Sequence, residues 1–73
     1  MSRLRIRLRE CLDLYERRTG RRMTYPELAK KSGLSEETVQ SIATRRTYNA
    51  TLKTIERLCV ALRVTPAELL DWK

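Results

Sequence analysis

Seventy-three residues suffice for one domain, residues 1–73, with one modest core. The chain has no histidine and only two cysteines, in no metal-binding spacing, so we expect no catalysis, no cofactor and no metal. A net charge of +7, from 16 basic and 9 acidic side chains, points to a polyanionic partner, nucleic acid before any other.

The basicity is uneven. Residues 1–22 carry eight arginines against three acids, residues 23–44 are close to neutral, and residues 45–73 are basic again. Leu, Arg and Glu are abundant, Phe is absent, and only two glycines and two prolines interrupt the chain, a composition of all-α proteins. No apolar run reaches the roughly 18 residues of a membrane span, and no signal-peptide core is present. The expectation is a cytoplasmic protein without a membrane partner.

In chain order, "RLRIRLRE" fits two patterns. Arg3 to Leu8 alternate as a strand would, while Leu4, Leu8, Cys11, Leu12 and Tyr15 form a helical stripe. The helical pattern runs further, so it predicts a helix from about residue 5 to 19, with room for a short extended start. Gly20 suits the left-handed residue after that helix. Cys11 and Cys59 each sit in an apolar stripe and read as buried free thiols.

"MTYPELAKKSG" opens with a capping box, Thr24 and Glu27, and carries Pro26 in the first turn. Gly33 ends that helix, Leu34 plugs the turn, and Ser35 caps a second short helix over Glu36 to Thr44. Two short helices joined by a glycine-containing turn make a helix-turn-helix, here about residues 24–44. In its second helix Val39 and Ile42 face inward. Glu36, Glu37, Gln40, Ser41 and Thr44 are left facing outward.

A polar, basic loop, "RRTYNA", follows. Thr51 then caps a longer helix with the stripe Leu52, Ile55, Leu58, Cys59 and Leu62. "TPAELLDW" repeats the start signals, with Thr65 as N-cap, Pro66 at the first position and Glu68 at the third. Leu69, Leu70 and Trp72 are its apolar residues. They serve as core or, where exposed, as a dimer face.

"LAKKSGLSEETVQSI" (Leu28 to Ile42) and "TLKTIERLCVALRVTPAELL" (Thr51 to Leu70) together resemble the Cro and lambda-repressor-like family of helix-turn-helix DNA-binding domains. The resemblance covers about fifty residues, Met23 to Trp72. It implies a compact five-helix, all-α fold with a central helix-turn-helix and double-stranded DNA as partner. On the matching positions it implies base reading by Glu36, Glu37 and Gln40, with Ser41 and Thr44 near the rim. It places phosphate contacts at Thr24 and Tyr25 and in the loop Arg45, Arg46, Thr47, Tyr48 and Asn49. The chain departs from the pattern at Tyr25, where glutamine is common, at Arg45, near a usual glycine, and at Ala50, which replaces a frequent proline. The insertion "GRR" before Met23 is a further departure.

Glu36 and Glu37 admit two explanations. Acids in a first turn complement the helix dipole, contributing about 0.3–1 kcal/mol each. A carboxylate can also accept a hydrogen bond from cytosine N4, with about 1–3 kcal/mol of discrimination. Gln40 can pair bidentately with adenine. A sequence-specific transcriptional regulator is therefore expected, a repressor occupying its operator as a homodimer. The alternative is a protein-binding adaptor, antitoxin or inhibitor on the same scaffold, with a protein partner, which the acidic pair and near-neutral centre favour.

Overall fold

A computed structural model describes residues 4–45 and 50–72. The order of elements is β1 (Leu4–Ile6), α1 (Leu8–Thr19), α2 (Tyr25–Ser32), α3 (Glu36–Thr44), α4 (Leu52–Leu62), α5 (Pro66–Leu69) and β2 (Leu70–Trp72). Among the described residues five helices surround one core, and the two ends of the described chain pair as a small antiparallel sheet.

The side-chain caps expected from the sequence form. Thr24, Ser35, Thr51 and Thr65 accept from the backbone N–H three residues on, at 3.1–3.3 Å. Each cap satisfies a donor the helix itself leaves open. At Thr65 the box is complete, because Glu68 accepts in return from the Thr65 N–H at 3.0 Å. At Thr24 the Glu27 carboxylate takes the Thr24 hydroxyl instead. Gly20 and Gly33 occupy the left-handed region at φ 74° and 73°, closing α1 and α2.

Helix α4 ends without a glycine, and Arg63 takes the left-handed position at φ 56°. A side chain there strains the backbone. The turn persists because Val64 N–H reaches the Cys59 carbonyl at 3.0 Å and Val64 is buried. Replacing Arg63 with Gly is expected to stabilise the domain by about 0.5–1 kcal/mol, read as a higher urea midpoint.

The expected long first helix is corrected at its start: residues 4–6 are strand, and the helix begins at Leu8. The expected C-terminal helix is likewise shorter. After α5 the chain turns extended at Leu70, φ −101° and ψ 144°. Leu4 pairs with Trp72, Arg5 with Asp71 and Ile6 with Leu70. The alternating pattern prevails at residues 4–6 because a partner strand is at hand. Ile6 is then buried, and Arg5 meets the Asp71 carboxylate at 2.5 Å.

Leu8, Cys11, Leu28, Val39, Ile42, Leu58, Leu62 and Leu69 are the largest wholly buried side chains. They join α1, α4 and α5 to the α2–α3 pair. Leu52, placed in the α4 stripe by spacing, is 87% exposed. It occupies the first position of α4, and the buried stripe begins one turn later at Ile55. Leu34 is half-buried against the core. Leu69 is fully buried, Leu70 half-buried and Trp72 exposed, so the apolar C-terminal residues divide between core and surface.

Three arginines bind the C-terminal segment. Arg5 pairs with Asp71, the Arg7 guanidinium donates to the Ala67 and Glu68 carbonyls, and Arg18 pairs with Glu68 at 2.6 Å while donating to the Arg63 carbonyl. The Thr65 backbone N–H, then Arg18, holds Glu68 below the ordinary carboxylate value of 4.5. Arg5 holds Asp71 below 3.8. Both native values lie under the unfolded ones, so their stabilisation is complete above those ordinary values. It is lost as pH falls through the lowered native values. The thermal midpoint is expected to fall from about pH 5 downward, and an Arg5→Met/Arg18→Met variant to show a flatter acid slope.

Candidate nucleic-acid interface

The hydrophobic spacing of α3 orients the candidate site. Val39, Ile42 and Ala43 are buried, which turns Glu36, Glu37, Gln40 and Thr44 into solvent and leaves Ser41 at the margin. The Ser35 cap accepts from Thr38 N–H at 3.1 Å and donates its hydroxyl to Thr38 Oγ1 at 2.8 Å. The start of α3 is thus fixed by two hydrogen bonds between Ser35 and Thr38. Thr44 is more constrained than its exposure suggests. Its hydroxyl donates to the Gln40 carbonyl at 2.9 Å, leaving it an acceptor toward any ligand.

Glu36 and Glu37 stand in the first turn, at the positive end of the helix. Their exposure leaves both carboxylates accessible from solvent. Gln40 lies one turn beyond Glu36 on the same face. Together these side chains offer hydrogen-bond acceptors at the start of the helix and a mixed donor–acceptor amide behind them.

Thr24 and Tyr25 open α2. Tyr25 is half-buried and lines an open groove with Arg9, Asp13, Glu16 and Arg22. Arg22 belongs to the inserted stretch, and Arg9 comes from α1. The groove brings both cations beside the start of α2, a juxtaposition that spacing within one segment does not reveal. Arg45 is exposed directly after α3, its N–H bonded to the Ser41 carbonyl at 2.8 Å. Arg46, Thr47, Tyr48 and Asn49 lie outside the described residues.

Two features of the surface were not legible in the sequence. Arg57 of α4 reaches the turn between α2 and α3, with its guanidinium 3.7 Å from where a Gly33 side chain would begin. Only the packing of α4 against α2 places it there. Conversely, the arginine-rich start is not wholly available to a polyanion, because Arg5, Arg7 and Arg18 hold the C-terminal segment.

Both free thiols are buried. Burial pushes Cys11 up to about 11 and also raises Cys59. Among the described residues no cluster of His, Cys, Asp and Glu could hold a metal, and no helix is long and apolar enough to cross a membrane.

Capped helices α2 and α3, joined through a left-handed glycine and seated on α1 and α4, define a helix-turn-helix domain with an exposed second helix. The family model of the Cro/C1-type helix-turn-helix DNA-binding domain matches residues 14–73, and the chain belongs to that family. This supports a DNA-binding regulator in general. Comparison with curated protein sequences gave no match.

Proposed function

We propose that the chain is a sequence-specific transcriptional repressor that occupies its operator as a homodimer, with α3 entering the major groove. The observation that carries this reading is the outward face of α3. Glu36, Glu37, Gln40 and Thr44 are exposed, Val39, Ile42 and Ala43 are turned into the core, and Arg45 is exposed directly after the helix. Gln40 and one of the two glutamates read base edges, adenine and cytosine N4 respectively. Ser41 and Thr44 meet the rim. Thr24, Tyr25 and the loop from Arg45 to Asn49 hold phosphates.

The exposed Glu36–Glu37 pair supports a second reading, a protein-binding adaptor, antitoxin or inhibitor on the same scaffold. Selection from a pool of random duplexes at two salt concentrations separates them. Recovery of a palindromic motif, with affinity falling steeply as salt rises, is the result expected of the repressor. Retention that is weak and blind to sequence would overturn that reading and favour the protein partner.

A further inference from the structure

The turn that leads into Glu36 and Glu37 has a cation against it. Arg57 projects from α4, which the buried stripe Ile55, Leu58, Cys59 and Leu62 fastens to the core. Its guanidinium lies at the α2–α3 turn, with Nη1 3.7 Å from where a Cβ on Gly33 would stand. Arg57 is exposed, and among the described residues its guanidinium has no hydrogen-bond or ion-pair partner. Arg5, Arg7 and Arg18 differ in this respect, because their donors are committed to the C-terminal segment. Arg57 keeps its donors for a ligand.

The position of the turn says which ligand. A helix-turn-helix seated on DNA sets its second helix in the major groove, first turn leading, while its first helix crosses the backbone. The α2–α3 turn is then where the chain passes from backbone to groove. A cation held there meets phosphate rather than base edges. Glu36 and Glu37, exposed at the same end of α3, repel that phosphate unless a positive charge stands beside it.

We propose that Arg57 binds a backbone phosphate at the α2–α3 turn and there offsets the repulsion from Glu36 and Glu37. The inference rests on the DNA-binding reading above and adds a contact from α4, a helix outside the helix-turn-helix. A planar guanidinium suits this task, since it can donate to two phosphate oxygens at once. Gly33 sets no side chain beside it. The competing role is internal to the fold: with Lys30 and Lys31, Arg57 complements the negative C-terminal end of α2. That role is indifferent to DNA, so salt dependence separates the two.

Fluorescence anisotropy on the duplex selected for the wild type, across a salt series, tests the contact. In Arg57→Gln each bound copy makes one phosphate contact fewer, which takes about 0.9 off the slope of log affinity against log salt. Affinity per copy is then expected to fall roughly eightfold at about 0.1 M salt and roughly threefold at about 0.3 M. Arg57→Lys keeps the charge and is expected to retain most of the slope, and circular dichroism should show unchanged helical content in both variants. Arg63→Gln removes the same charge at the far end of α4 and is expected to leave the slope as in the wild type. A lower thermal midpoint with a wild-type slope in Arg57→Gln would overturn the contact and leave the DNA-binding reading intact. An equal loss of slope in Arg63→Gln would also overturn it, by tracing the effect to net charge. A wild type that selects no sequence would overturn the DNA-binding reading, and this contact with it.

Discussion

Reversing Arg45 and Arg46 to glutamate is expected to lower affinity for duplex DNA roughly a hundredfold and to flatten its salt dependence. Arg45 is exposed directly after α3, where a helix seated in the major groove would bring the flanking chain to the phosphate backbone. Each phosphate left without its cation takes about 0.9 off the slope of log affinity against log salt. Two such phosphates therefore reduce the slope by about 1.8, and the new carboxylates add repulsion. Filter binding or fluorescence anisotropy across a salt series reads both quantities. Unchanged far-UV circular dichroism is expected, because the Arg45 side chain is no part of the core. A variant that binds DNA as the wild type does would remove this loop from the interface.

Leu58→Ala is expected to remove most of the domain's stability. Leu58 is wholly buried at the centre of the α4 stripe, within the core cluster that the described helices share. Truncating such a residue costs about 2–5 kcal/mol, from forfeited transfer energy and the cavity left behind. A domain of this size has only about 4–11 kcal/mol in all, on a scale of roughly 0.05–0.15 kcal/mol per residue. Urea unfolding followed by circular dichroism should show a large drop in midpoint with an unchanged slope. Leu52→Ala supplies the contrast within the same helix. Leu52 is 87% exposed, so its truncation is expected to stay within about 0.5 kcal/mol of the wild type. A large effect at Leu52 or a small one at Leu58 would contradict the placement of the core.

The DNA-binding and stability predictions meet at α3. Val39 and Ile42 fasten that helix to the core, and the same fastening sets which side chains it presents. Core variants should therefore lose DNA binding through unfolding, whereas Arg45 and Arg46 variants should lose it while folded. Comparing affinity with helical content distinguishes the two routes.

Much of this was legible from local chemistry. Ser and Thr caps, the two glycines and the period of the apolar residues depend on nearest neighbours along the chain. They place α2, α3 and α4 and the outward face of α3 without knowledge of the rest. The ends of the chain were a different matter. Residues 4–6 satisfy both a strand and a helix pattern, and only the arrival of Leu70–Trp72 beside them decides between the two. The same holds for Arg5, Arg7 and Arg18, whose charge counts equally toward a phosphate surface or an internal clamp until Asp71, Glu68 and the α5 carbonyls are placed. Leu52 fits the stripe by spacing, yet it is left exposed among the described residues. By itself the sequence determined the helix-turn-helix and the residues it shows to solvent, because helix caps and periodicity are local. The tertiary structure alone decided the terminal sheet, the fate of the N-terminal arginines and the position of Arg57 beside Gly33, because these depend on interactions between segments far apart in the chain.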